Sequence, residues 1–371
     1  MKIGIDAKWL FRGPPSGQRA VRQIVDGLAE TARDHELHLF LDANSQGNEA
    51  PLPVPEAHCH HVWAGNNQLS NLFAIPRLAN RLRLDAVVYQ NFVPRAAWAR
   101  HARIAYVHDV IFDSHPEFFT RLERVYFSTL RRQTASADRV CTGSTSERDR
   151  LVRLRYAEAG RVDVVPHAIA GTFVPLGRLD PAETERTLNT LGVTPPFVLF
   201  VSRLNPRKNV TGLVEAMARV QTAGLSLVIA GTGDSGPGVR AADSAGVADR
   251  VRWVGSVTDS QLAALYAVAT MFCFPSFDEG FGLPPLEAMA AGTPVIVSRI
   301  PALAETCGDA AVYVDPHDRA SIAAAIDAVA TDDARRAELR DAGLRQAALF
   351  TVARSAQALL ASVQAAVWNR A

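Results

Sequence analysis

The stretch Phe197-Val-Leu-Phe-Val-Ser-Arg-Leu-Asn-Pro-Arg-Lys-Asn209 holds an apolar run, a polar turn at Asn205-Pro206 and the start of a helical pattern. A strand that ends in a tight turn and leads into a helix is half of a βαβ unit. Moving outward, the same alternation fills nearly all 371 residues. Towards the carboxyl end the strand candidates are Leu225–Ala230, Val251–Val254, Met271–Phe274, Pro294–Val297 and Ala311–Val314. Towards the amino end they are Lys2–Asp6, Glu36–Leu41, Asp85–Tyr89, Arg103–Val107, Arg139–Thr142 and Val162–Val165, with helical segments such as 18–33 and 121–135 between them. Short strands alternating with helices predict parallel sheets and an α/β fold.

Pro166, Pro175, Pro181, Pro195 and Pro196 interrupt this pattern. Proline continues neither a ladder nor a helix interior, so the stretch reads as an interdomain connection. The expected organisation is a Rossmann-like domain over 1–170, a linker over 171–195 and a second Rossmann-like domain over 196–350. A helix over 351–371 is expected to pack back towards the first domain. After Asp315 the chain is helical in two or three Ala-rich segments, and no internal sequence repeat relates the halves.

Composition narrows the classes. Hydrophobic residues make up 48% and charged residues 21%, with a net charge of +1, which excludes wholesale disorder and disfavours a nucleic-acid binder. Up to Asp180 there are 23 basic and 19 acidic residues, against 16 and 19 beyond it. Arginine is dense over 121–132 and 148–161, which fits solvated helix faces and also a weak peripheral contact with anionic lipid headgroups. Cys59, Cys141, Cys273 and Cys307 show no metal-binding spacing, so no structural zinc is expected. No signal peptide and no apolar run of spanning length is evident, and the expected location is the cytoplasm.

Two open parallel sheets facing across one cleft would carry ligands at the carboxyl ends of their strands. Four loops leave such ends. The first, Phe11–Gln18, contains Gly13 and Gly17 ahead of a helix start and reads as an anion-binding loop or a plain turn. The second is His108-Asp109, a polar pair leaving an apolar strand. The third holds Arg203 and Lys208, a planar fork and a compact point charge suited to converge on one anion. Lys208 stands out because only three of the 39 basic residues, Lys2, Lys8 and Lys208, are lysines. The fourth runs Glu279-Gly-Phe-Gly-Leu-Pro-Pro-Leu-Glu287, where two carboxylates flank a glycine turn and a helix start and suit the binding of vicinal hydroxyls.

These motifs, with Ala230-Gly-Thr-Gly233 and Val254-Gly255, resemble the retaining glycosyltransferase family 4, of GT-B fold, over nearly the whole chain. The resemblance implies a donor-diphosphate site at Arg203 and Lys208, and ribose recognition by Glu287. It implies that Glu279 and the amides of Gly280, Phe281 and Gly282 hold the transferred sugar. Leu283 would lie near phosphate, Gly255 and Val257 along the base, and His108 with Asp109 at the reaction centre. Relatives commonly carry Gly-x-Gly where this chain has Ser16-Gly17-Gln18, so Gly17 is left to phosphate or to acceptor.

No D-x-D occurs in the chain, and metal-independent transfer from a nucleotide sugar, without a cofactor, is expected. The resemblance favours GDP-mannose or else a UDP-sugar as donor. The acceptor, a glycan, a lipid-linked or a small molecule, would be read by 13–19, 44–55 and 110–120. A GT-B nucleotide-sugar epimerase and a catalytically silent binding subunit are the alternatives. A nicotinamide-dependent enzyme is disfavoured by the lack of G-x-G-x-x-G after any strand.

Overall fold

Apolar strands with no polar face are stable where helices cover a sheet on both sides. A computed structural model of the chain, which describes residues 1–11, 13, 15–45, 52–63 and 67–370, places them in two all-parallel sheets. The first consists of β1 (Lys2–Asp6), β2 (Glu36–Asp42), β3 (Cys59–Val62), β4 (Ala86–Gln90), β5 (Ala102–Tyr106), β6 (Arg139–Thr142) and β7 (Val162–Val164). Its spatial order is β3-β2-β1-β4-β5-β6-β7. The second consists of β8 (Phe197–Val201), β9 (Ser226–Ala230), β10 (Val251–Gly255), β11 (Met271–Phe274), β12 (Val295–Ser298) and β13 (Ala311–Val314), ordered β10-β9-β8-β11-β12-β13. Both sheets are Rossmann-like. In each the winding reverses once, between β1 and β4 and between β8 and β11.

Every strand expected from the apolar runs is present within about a residue of its ends, and one more, β3, was not foreseen. Its sequence, Cys-His-His-Val, lacks the β-branched run that marks the others, and it forms because β2 offers it an edge. The segment read as one helix over 121–135 divides into Arg121–Phe127 and Leu130–Ala135. The first helix starts at Pro15, three residues earlier than expected, since proline is preorganised for a first helical turn.

The chain divides into two compact units, Met1–Ala168 with Phe350–Ala371, and Ile169–Leu349. Residues 171–195, read from their prolines as a connection, lie in the second unit. There Phe173 is buried with its ring edge-on to Tyr266, and Asp180 caps the helix Pro181–Leu191. In the first unit the helix Val352–Trp368 buries Ala356, Leu359, Val363 and Ala366 in the core that also holds Ile3, Ile5 and Val25. It lies close on the helix Pro15–Thr31 because Gly27 has no side chain. A Cβ there would stand 2.8 Å from Val352 Cγ1 and 2.9 Å from Ala356 Cβ.

Candidate active site

In the second unit the polar loops gather at the carboxyl ends of β8 and β11, the crevice where open α/β sheets take ligands. The loop after β8 ends in a short turn, Pro206–Lys208, and Asn209 in the left-handed conformation (φ 56°). Asn209 fixes that turn, its Nδ2 donating to the carbonyls of Pro275 at 3.0 Å and Pro316 at 2.7 Å. Lys208 is thereby aimed at the loop after β11. Its Nζ donates to Glu279 Oε1 at 2.6 Å and lies 4.9 Å from the centre of the Phe274 ring. Arg207 Nη1 meets the other carboxylate oxygen at 2.9 Å and also donates to the Asp278 carbonyl. Ser276 Oγ donates to Glu279 Oε1 at 2.5 Å.

Lys208 is 8% exposed and Glu279 6%. Burial alone would raise the Glu279 pKa, but Arg207, Lys208 and the hydrogen bonds from Lys208 and Ser276 outweigh it and hold the carboxyl at about 2. Glu279 is therefore a fixed anion that positions two cations. Arg203, in the same loop, is exposed and makes no ion pair among the described residues. Of the three cations in this loop it is the most exposed.

Beyond Glu279 the chain turns through Gly282 at φ 109°, where a Cβ would meet Leu303 Cδ2 at 2.5 Å, so only glycine fits. The helix Leu283–Ala290 follows, with prolines at its second and third positions. Prolines carry no N–H, so the donors at this helix start reduce to Gly282 and Leu283. Glu287 lies one turn in, 2% exposed, and accepts a hydrogen bond from Tyr266 Oη at 3.0 Å. The pair Glu279 and Glu287 is thus held in place from different sides.

The neighbouring strand ends are joined through glycines. Gly231, at φ 144°, approaches so closely that a Cβ would sit 1.7 Å from the Ser202 carbonyl oxygen, and its own N–H reaches Gly255 O at 2.7 Å. Gly255 closes β10 at φ 69°, and Val257 precedes the Thr258 cap of the helix Asp259–Val268. These residues share the end of the sheet that carries Lys208 and Glu279.

In the first unit the reversal between β1 and β4 holds a polar network that sequence reasoning missed. Lys8 Nζ lies 2.5 Å from both Asp6 Oδ1 and Asn71 Oδ1, and Asn71 Nδ2 donates to Asp6 Oδ2 at 2.9 Å. Asn71 comes from a π-helical turn, Ser70–Ala74, a local widening often found at functional sites. Beside it, His108 Nε2 donates to Gln90 Oε1 at 2.8 Å, and its ring stacks between Trp9 at 5.3 Å and His167 at 5.7 Å. Burial lowers the His108 pKa to about 4, only partly countered by Asp109. His108 is therefore a neutral imidazole at physiological pH, held by a hydrogen bond and not by a charge. Asp109 is turned to local work, its Oδ1 accepting from Ile111 N at 3.3 Å.

Gly17 lies buried within the first turn of the helix Pro15–Thr31, not in a loop ahead of it. Arg12 and Pro14 of that loop, and residues 46–51 of the segment expected to read acceptor, fall outside the described residues. Arg207 was also missed. Its only signal was adjacency to Lys208, and only the packing shows that both cations reach one carboxylate.

Residues 182–346 match the family described as glycosyl transferases group 1, and residues 17–168 match the glycosyl transferase 4-like domain. The chain is 32% identical over 252 residues to the O-antigen chain mannosyltransferase B of Escherichia coli, which covers 66% of this chain and 65% of that one. It is 34% identical over 253 residues to a D-inositol 3-phosphate glycosyltransferase of Nocardia farcinica, covering 63% and 54%. The chain therefore spans less than two thirds of the length of these curated relatives. Among solved structures, a sucrose-phosphate synthase from Thermosynechococcus elongatus superposes over 100% of this chain and 99% of its own, with a TM-score of 0.78 and 21% identity. The Anabaena protein HepE, solved in complex with UDP and glucose, covers 98% and 99% with a TM-score of 0.75 and 17% identity. At such identities the likeness is one of fold, the two-domain GT-B architecture.

Proposed function

The chain belongs to the glycosyl transferases group 1 family, and on that premise we propose that it moves a sugar, with retention, from a nucleoside-diphosphate sugar to an acceptor hydroxyl. The observation that carries this reading is the Arg207–Glu279–Lys208 cluster beside the open Arg203. As the bond from anomeric carbon to diphosphate breaks, negative charge grows on the leaving group and positive charge on the sugar. Arg203 and Lys208 stabilise the first, and Lys208 is already oriented by Glu279 and need not reorganise. The Leu283 amide adds a donor towards the same phosphate. Glu279, ionised throughout the physiological range, is assigned with the Gly280, Phe281 and Gly282 amides to the sugar hydroxyls, and Glu287 to the ribose. Gly255 and Val257 are assigned to the base. His108 is assigned to the donor sugar as a neutral hydrogen-bonding group, and Asp109 to keeping its loop in place.

The absence of D-x-D leaves the diphosphate to these cations, and the transfer is assigned as metal-independent. The mannosyltransferase among the relatives supports GDP-mannose as donor, and the fold likeness to a UDP-bound protein keeps UDP-sugars in the test. The acceptor is assigned as a glycan, a lipid-linked or a small molecule. The helix Arg121–Phe127 leaves Leu122 83% and Val125 69% exposed beside exposed Arg121 and Arg124, which supports a peripheral contact with anionic lipid. No helix among the described residues is long and apolar enough to cross a membrane.

The test is nucleotide release from GDP-mannose and UDP-sugars, with and without acceptor and with EDTA, with the anomeric configuration of the product read by NMR. Release that requires acceptor, survives EDTA and gives the retained anomer is expected. Sugar leaving without acceptor would point to an epimerase or hydrolase instead, and activity that vanishes with EDTA and returns with Mg²⁺ would overturn metal independence.

A further inference from the structure

The start of β2 and the turn leading into β3 gather imidazoles that the proposed reaction does not use. Side chains alternate along a strand, so Glu36, His38 and Phe40 share one face of β2. β3 runs parallel beside it with His60 opposite Phe40. The turn Glu56–His58 brings His58 over the same face, where its ring stacks on that of His38 at 4.5 Å. His38 Nε2 lies 2.9 Å from Glu36 Oε1, and His58 Nε2 lies 3.7 Å from the same oxygen. One ligand atom from each of Glu36, His38 and His58 falls within 4.8 Å of the others. Tetrahedral zinc, with bonds of about 2.0–2.1 Å, sets its ligand atoms about 3.3 Å apart. That spacing lies between the two shorter separations found here.

We propose that Glu36, His38 and His58 form a binding site for one divalent transition-metal ion of the zinc type, held at the edge of the first sheet. Two imidazoles and one carboxylate select such an ion over Mg²⁺ or Ca²⁺, which take oxygen ligands. His60 supplies the outer support, its Nε2 standing 3.0 Å from His38 Nδ1. With the ion on Nε2, His38 carries its proton on Nδ1 and donates it to His60, which fixes tautomer and ring orientation. Lys2 Nζ, 3.2 Å from Glu36 Oε2 and donating to Oε1 at 3.3 Å, is the present counter-charge on this carboxylate, and its half-exposed flexible chain has to swing aside when an ion binds. The expectation of no structural zinc rested on cysteine spacing, and 22 residues separate His38 from His60. Only the parallel pairing of β2 with β3 brings them together.

The cluster sits at the amino ends of its strands, whereas Asp6, Gln90 and His108 lie at or beyond the carboxyl ends of theirs. The ion is therefore a clamp on an edge strand and takes no part in transfer.

Tag-free full-length protein, stripped with EDTA and exchanged into buffer, is to be titrated with Zn²⁺ by calorimetry and followed by thermal melting. One ion per chain is expected, with a rise in melting temperature. His58→Ala, at a half-exposed position, is expected to abolish both. His60→Phe is expected to weaken binding about 10- to 100-fold, the usual cost of losing such support. His115→Ala, away from the cluster, should leave both unchanged. Zinc bound equally well by His58→Ala, or no saturable binding up to about 1 mM, overturns the site.

Discussion

Glu279 joins three contacts, from Lys208, Arg207 and Ser276, in a space that water barely enters. Its folded pKa of about 2 lies below an unfolded value of about 4.3. The ionised form therefore stabilises the fold above about pH 5, and that contribution is lost as pH falls towards 2. Two units correspond to at most about 3 kcal/mol. Urea unfolding of wild type and Glu279→Gln between pH 3 and 7 checks this: the gap in stability between them should narrow as the solution is acidified, and a pH-independent gap would refute the pairing. At this scale the sequence was informative about residue types and poor on partners. Lys208, Glu279 and Glu287 could be singled out as candidates because a rare lysine and a glycine turn framed them. Arg207, Lys8 and Asn71 were not, since their roles depend on which strands lie side by side.

The helix Val352–Trp368 shows how one distant segment can complete a core. Leu359 is fully buried among residues of β1 and of the helix Pro15–Thr31. Truncating such a leucine removes transfer energy and leaves a cavity, so Leu359→Ala should cost about 2–5 kcal/mol. Chemical denaturation is the measurement, and a loss below about 1 kcal/mol would show that the helix adds little to the first unit. Elements were the most legible level, because apolar runs bounded by turns leave few options. β3 escaped because an edge strand needs only a neighbour, not a β-branched sequence, and the break at Ser128-Thr129 escaped because the helical periodicity continues through it.

Across the whole chain a net charge of +1 conceals an uneven distribution, positive before Asp180 and negative after it. If the face bearing Arg121, Leu122, Arg124 and Val125 meets lipid, co-sedimentation with phosphatidylglycerol vesicles should exceed that with phosphatidylcholine. It should fall in Leu122→Glu/Val125→Glu and weaken with salt, since exposed charges are screened within about 10 Å at 0.1 M. Equal sedimentation with both lipids would leave the face merely solvated. The two-domain α/β architecture was visible in the alternation of strands and helices, whereas the sequence motifs do not distinguish one donor sugar or acceptor from another. The central claim is that the crevice between β8 and β11 stabilises a leaving diphosphate. Its most direct test is the acceptor-dependent turnover of Lys208→Ala at saturating donor, with melting temperature recorded alongside. A fall of about 10²–10³-fold in an intact fold is predicted, and near-normal turnover would contradict the assignment.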